Sequence, residues 1–255
     1  MSIVRDTLKG LYTHVVGRRI LYYARVGSTM DVAASEGESG AEEGTVVVAD
    51  VQTRGRGRSR REWASLKGNL HVSVLLRPAP DVAPLVMVIA GLAVARAIRA
   101  VAGLRAQIKW PNDVLLRGRK VAGMLAEGVA KQGGGGYVVL GIGVNVNADP
   151  AAIPGLASIA TSLSRELGKD LDESTLLRQL LQELDYLYGG LTKGEVPLEE
   201  WRGHLETLGQ RVQFQWQGET YHGLAEDVDG AGNLVVLRED GSRVTVNAGE
   251  VGYVR

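Results

Sequence analysis

The chain has 255 residues, 45% hydrophobic and 23% charged, the make-up of a globular protein long enough for one large domain, or a large one plus a small one. Lysine plus arginine and aspartate plus glutamate both number 29, so no whole-molecule field draws in nucleic acid or an anionic membrane. There is no cysteine, which removes disulfides, thiolate nucleophiles and cysteine-based zinc sites and fits a reducing cytosol.

The first residues, MSIVRDTLKG, lack a basic stretch followed by an apolar one, so no signal peptide is expected. Residues 1–16 carry Ile3, Val4, Leu8, Leu11 and Val15 at roughly helical spacing and predict one short helix. A helix-turn-helix does not fit before the first strand-like run, residues 20–25, so no DNA-binding head is expected. Ser28 with Asp31 matches a capping box opening a short helix; Ser28 and Thr29 either only cap it or also face a ligand. Residues 45–52 (TVVVADVQ) are rich in β-branched side chains and predict a buried strand.

That strand delivers the chain into the polar loop 53–63, TRGRGRSRREW, where Arg54, Arg56, Arg58, Arg60 and Arg61 are interleaved with Gly55 and Gly57. Like charges this close repel, and glycines lose much backbone entropy on ordering, so an ordered loop calls for a neutralising anion. The residues alone leave two readings open: a phosphate- or carboxylate-binding loop, or a solvated arginine-glycine tract that touches nucleic acid.

Residues 69–76 alternate Leu70, Val72, Val74 and Leu76 against His71 and Ser73 and predict a strand with one polar face. Asp81 is the expected cap of a long helix to about residue 101, whose apolar stripe marks it as core. Its most apolar part, residues 82–95, is too short to span a bilayer. Residues 107–116 (QIKWPNDVLL) start as a strand, break at Pro111 and resume at Val114. A tight turn at Arg117-Gly118-Arg119 leads into a strand over 120–129. The glycines at 133–136 predict a surface turn before a strand over 137–146. The GIGVNVN in that strand lacks the third glycine and the following helix of a dinucleotide fingerprint. Helices are expected over 157–167, 174–191 and 197–205. Short alternating strands then follow at 212–216, 220–228, 234–238, 243–247 and 251–254, with turns at Gln217-Gly218, Asp229-Gly230 and Asp240-Gly241. This change of texture predicts a small SH3-like or OB-like β-barrel, with a domain boundary near Leu208-Gly209.

Most catalytic signatures are missing. His14, His71, His204 and His222 have no ligand spacing, so no protein-bound metal is expected, and neither a GxSxG elbow nor a GxxxxGK[ST] loop occurs. What remains are cations and glycines at strand ends: the arginine loop, Lys109 with Asn112 and Asp113, and Lys120 with Gly123. Converging there, such cations would stabilise charge developing at phosphorus; singly, Lys109 or Lys120 reads more readily as a solvated strand end.

GRGRSRREW (55–63) resembles the GRGRxGRxW loop of biotin protein ligases, and KWPNDVLLRGRKVAGMLAE (109–127) is similar to the KWPND...KxAGIL block of that family. GSTMD near Ser28 resembles its STN segment and GIGVNVN its GIGIN strand. The four blocks stand in the family's order and, with the terminal barrel, cover nearly the whole chain. The resemblance implies an α+β fold: a mixed-sheet catalytic domain with packed helices, class II synthetase-like, over 1–208, and a C-terminal SH3-like β-barrel over 209–255.

It also implies a two-step reaction: biotin and ATP, with Mg2+ on the nucleotide, give biotinyl-5′-AMP, and the biotinyl group then passes to a lysine of a biotin carboxyl carrier protein. By the same resemblance Ser28, Thr29, Met30, Gln52, Gly55, Arg56, Gly57, Arg58, Lys120 and Gly123 meet biotin or the adenylate. Arg61, Trp63, Lys109, Asn112 and Asn145 serve the nucleotide side. Lys120, Arg56, Arg58 and Asp113 are the expected catalytic residues, Asp113 orienting metal or the incoming amine. Met30 departs from the family's asparagine and Arg60 from its glycine. A cytoplasmic enzyme without specific DNA or membrane partners follows, with a homodimer left open.

Two rivals stand beside this reading. A lipoate ligase or octanoyltransferase shares the implied catalytic fold but not the arginine-glycine loop. An arginine-glycine nucleic-acid-binding module predicts salt-dependent oligonucleotide binding, against which stand the neutral charge and the scarcity of aromatics near the loop.

Overall fold

The structure, a computed structural model, describes residues 3–130, 136–216, 219–247, 249 and 251–253. Its elements run α1 (Ile3–Leu8), β1 (Ile20–Val26), α2 (Thr29–Glu38), β2 (Val46–Gln52), β3 (Leu70–Leu76), α3 (Val86–Ala102), β4 (Gln107–Lys109), β5 (Asp113–Leu116), β6 (Arg119–Ala130) and β7 (Gly136–Val144). There follow α4 (Leu163–Leu167), α5 (Glu173–Leu191), α6 (Leu198–His204), β8 (Arg211–Trp216), β9 (Glu219–Val228), β10 (Leu234–Leu237), β11 (Arg243–Val246) and β12 (Val251–Tyr253).

Seven strands form one mixed sheet in the order β1-β2-β3-β7-β6-β5-β4, in which β1 and β2 are parallel and every other neighbour is antiparallel. The period-2 alternation of the central strands sets the layers. Val46, Val48, Val72 and Val74 face α3 and α5 in the main core, while Val47, Leu75 and Val139 face Met30 and Ala33 of α2. The second face is only partly covered by α2, which leaves room there for a cleft. The carboxylate of Asp185 in α5 accepts three backbone N–H groups, from His14, Val15 and Val16, and ties the N-terminal segment to the core.

The C-terminal strands form a five-stranded antiparallel sheet, β11-β10-β9-β8-β12, the SH3-like unit expected from the strand spacing. It is keyed to the larger sheet around the β4–β5 turn. Trp110 N donates to Thr207 Oγ1 at 2.9 Å, and Trp110 Nε1 donates to the Gly232 carbonyl at 3.0 Å.

Several expectations need correction. The β3 face carrying His71 and Ser73 is buried, because α2 and the arginine loop cover it; Ser73 Oγ donates to Thr29 Oγ1 there. Asp81 does not cap α3, which begins at Val86 after a 3-10 turn over Ala83–Leu85 that holds Pro84 in its first positions. By length and composition Ala83–Ala102 could cross a membrane, more than residues 82–95 suggested, but most of it is buried in the core. Ser28 does cap α2, accepting from Met30 N, yet Asp31 does not close a capping box: its carboxylate pairs with Arg56. The helix expected over 157–167 is confined to Leu163–Leu167, between Ser162 as N-cap and a left-handed Gly168. Arg117 and Gly118 take φ of 49° and 74°, the hairpin turn expected between β5 and β6. The expected turns at 133–135 and 217–218 lie outside the described residues.

Candidate active site

The cleft forms where β2 ends, α2 begins and the arginine loop folds back over β6 and β7. Its floor is glycine. Gly123 and Gly143 are register partners on β6 and β7, and a Cβ on Gly143 would stand 2.5 Å from the Trp63 ring, one on Gly123 3.1 Å from it. A Cβ on Gly141 would meet Met30 Sδ at 2.7 Å. Glycine at these strand positions lets flat or bulky groups lie directly on the backbone.

The loop above is stapled by its own backbone and by acids from elsewhere in the chain. Gly57 N donates to the Arg61 carbonyl and Trp63 N to that of Gly55, and Ser59 takes a left-handed φ of 55°. Arg56 donates to both carboxylate oxygens of Glu127 at 2.9 and 2.8 Å, to Asp31 at 2.5 Å and to Ser28 Oγ at 3.2 Å. The Glu127 bonds, and after them those to Asp31, raise its pKa above the usual arginine value against the effect of burial. The anion that the loop's charge calls for is thus supplied in part by the protein.

Other cations enter from the next blocks. Lys120 Nζ lies 2.6 Å from Asp113 Oδ1 and 5.5 Å from the centre of the Trp63 ring. Arg58 donates to Asn112 Oδ1 at 3.2 Å, while Asn112 Nδ2 donates to the Met124 carbonyl. Lys109 Nζ sits 4.4 Å over the Tyr253 ring. At the α2 end, the N–H and hydroxyl of Thr29 both donate to Gln52 Oε1, whose amide group donates to Ser65 Oγ. The peptide bond between Trp110 and Pro111 is cis.

Of the residues singled out in the sequence, Ser28, Thr29, Met30, Gln52, Arg56, Gly57, Arg58, Arg61, Trp63, Lys109, Asn112, Asp113, Lys120 and Gly123 line this one cleft of about 200 Å³. Gly55 and Asn145 do not. Gly55 is buried behind the loop, where a Cβ would lie 2.7 Å from the Trp63 carbonyl. Asn145 is buried, with its amide donating to the Thr161 carbonyl. The sequence reading missed Asp31 and Glu127 as partners of Arg56, and Gly141, Gly143 and Val251 as cleft lining. The rule that drew attention to Gly123, a glycine on a strand, also points to Gly141 and Gly143. Nothing in the local sequence points to Glu127.

A mixed sheet with a glycine-floored, cation-rimmed cleft, followed by a small antiparallel unit, defines a ligase of the biotin and lipoate type. Residues 22–145 match the Biotin/lipoate A/B protein ligase family, and residues 207–251 match the Biotin protein ligase C terminal domain. The chain is 36% identical over 251 residues to the biotin--[acetyl-CoA-carboxylase] ligase of Mycobacterium tuberculosis, covering 93% of this chain and 90% of that protein. It is 35% identical over 245 residues to the bifunctional ligase/repressor BirA of Bacillus subtilis, covering 94% of this chain and 75% of that one. Among solved structures, the biotin protein ligase from Aquifex aeolicus in complex with biotin and ATP superposes with a TM-score of 0.80 at 28% identity, covering 93% and 99% of the two chains. The chain belongs to the biotin protein ligase family.

Proposed function

We infer that this chain is an ATP-dependent ligase that activates biotin as biotinyl-5′-AMP and passes the biotinyl group to a lysine of a biotin carboxyl carrier protein. The observation that carries the reading is the convergence of Arg56, Arg58, Lys109 and Lys120 on one glycine-floored cleft. Two anionic substrates, a carboxylate and a polyphosphate, repel each other, and bringing them to attack distance requires fixed positive charge. In the first step a biotin carboxylate oxygen bonds to the α-phosphorus as pyrophosphate leaves. In the second the acceptor amine, having lost a proton, bonds to the acyl carbon as AMP leaves. Neither step needs an enzyme nucleophile, in keeping with a cleft lined by cations, amides and glycines.

In this reading Lys120 lies by the carboxylate and α-phosphate, Arg56 and Arg58 hold the reacting anions, and Lys109 takes the polyphosphate. Trp63 covers the ligand, and Asp113, ion-paired with Lys120 at 2.6 Å, receives or orients the incoming amine. Mg2+ enters with ATP as part of the substrate. Residues 1–208 form the catalytic unit and 209–255 the terminal one. The enzyme works in the cytoplasm, without specific DNA or membrane partners. The match of the terminal unit to a biotin ligase domain favours biotin over lipoate. The test is exchange of labelled pyrophosphate into ATP, which is expected to depend on added biotin; exchange driven by lipoate instead sinks the reading.

A further inference from the structure

The cations of the cleft are held in two different ways. Arg56 and Lys120 are paired with carboxylates, so the groups that position them also cancel part of their charge. Lys109 is held by a ring. Its Nζ is 4.4 Å from the centre of Tyr253, and among the described residues it forms no ion pair with a carboxylate. An aromatic face attracts a cation through its quadrupole and brings no net charge of its own. Asp113, the register partner of Lys109 on β5, pairs with Lys120 instead, and Glu206 meets the hydroxyl end of the ring, so the Lys109 ammonium keeps most of its field for an incoming anion.

Tyr253 is itself fixed relative to the lysine's backbone. Its hydroxyl donates to the Glu206 carboxylate and lies 3.4 Å from Thr207 Oγ1. The same two residues grip the strand on either side of Lys109: Glu206 N donates to the Ile108 carbonyl, and Thr207 Oγ1 accepts from Trp110 N. Tyr253 is also in register with Val212 of β8, and its neighbour on β12, Val251, lines the cleft. Burial, and after it the bond to Glu206, raise the phenol pKa, so the ring stays neutral.

We propose that Tyr253 is a positioning residue of the terminal sheet: it holds the Lys109 ammonium at the cleft without a directly paired carboxylate, where it captures the polyphosphate of the incoming nucleotide. This rests on reading the cleft as an ATP site. Arg56 and Lys120 exchange a protein carboxylate for substrate when they bind it, whereas Lys109 has none to give up. Lys109 and Tyr253 therefore act on nucleotide capture more than on turnover once ATP is bound.

A double-mutant cycle in biotin-dependent pyrophosphate exchange tests it, using Tyr253→Leu, Tyr253→Phe, Lys109→Met and Tyr253→Leu/Lys109→Met in the full chain. Tyr253→Leu is expected to raise KM for MgATP about three- to tenfold, with kcat and KM for biotin within about twofold. Tyr253→Phe, which keeps the ring and loses the hydroxyl that ties it to Glu206, is expected to fall between wild type and Tyr253→Leu. In the Lys109→Met background, Tyr253→Leu adds nothing. Thermal unfolding checks each variant, with Tyr253→Met as a second ringless substitution if leucine prevents folding. The proposal is overturned if Tyr253→Leu leaves KM for MgATP unchanged, if its effect is undiminished without Lys109, or if Tyr253→Phe is as damaging as Tyr253→Leu. A wild-type chain without biotin-dependent exchange rejects the ATP-site reading itself; normal exchange with Tyr253 and Lys109 uncoupled rejects only this proposal.

Discussion

Replacing Lys120 by alanine does two things at once. It removes a cation from the cleft, and it strips the Asp113 carboxylate of a counter-charge 2.6 Å away. The two side chains are 33% and 26% exposed, so their surroundings are partly dry. At an effective dielectric near 20, a unit charge about 4 Å from a developing phosphoryl charge contributes about 4 kcal/mol. Water reaching the cleft reduces this to about 3 kcal/mol, on the order of 100-fold in rate. Asp113, about 6 Å from the same phosphorus, exerts a repulsion of about 2 kcal/mol after the same discount, with or without the lysine. Lys120→Ala is therefore expected to slow single-turnover formation of the adenylate about 100-fold, and Lys120→Ala/Asp113→Asn to recover about 30-fold of that. Rapid quench with labelled ATP and saturating biotin reads both numbers in the first half-reaction, before any part Asp113 plays toward the acceptor amine. Near-normal adenylation in Lys120→Ala refutes the role given to the lysine. A double variant slower than the single one refutes the charge argument.

Two further outcomes follow from the packing. Gly143→Ala places a methyl 2.5 Å from the Trp63 ring and so expels the indole from the cleft floor; adenylation should fall by about tenfold or more and tryptophan emission shift to the red. Unchanged emission would show that Trp63 does not rest on that glycine. Burial, opposed in part by the Leu66 backbone and the Asp50 charge, pushes the His71 pKa from 6.5 down to about 4. Below pH 6.5 the unfolded chain takes up a proton that the folded chain refuses. Stability is therefore lost as pH falls from about 6.5 towards about 4, by up to about 3 kcal/mol. His71→Phe should flatten urea midpoints measured across that window; parallel curves for the two proteins would count against a buried neutral histidine.

Most of the elements were legible in the sequence because each is fixed by neighbours a few residues away. The β-branched run before the arginine loop, the glycine turn at Arg117-Gly118 and the spacing of the short terminal strands needed no tertiary information. The exceptions have physical causes. His71 and Ser73 alternate with apolar residues, the pattern of a half-exposed strand, but a second layer covers them. Asp31 stands at a capping-box position, and the stronger pull of a guanidinium claims it.

The same division runs through the site. Which residue types meet there was set by sequence: the arginine loop, the lysine block and the glycines of GIGVNVN lie within short stretches whose chemistry is local. How they meet was decided only by the fold. Glu127 reaches Arg56 because β6 runs beneath the arginine loop, and Tyr253 reaches Lys109 because the terminal sheet is keyed to the β4–β5 turn. Asn145, from the glycine strand's motif, is not among the cleft lining, and its amide bonds the Thr161 carbonyl. A motif fixes what a side chain is able to do; the direction it faces, and whether its charge is cancelled, depend on partners distant in sequence.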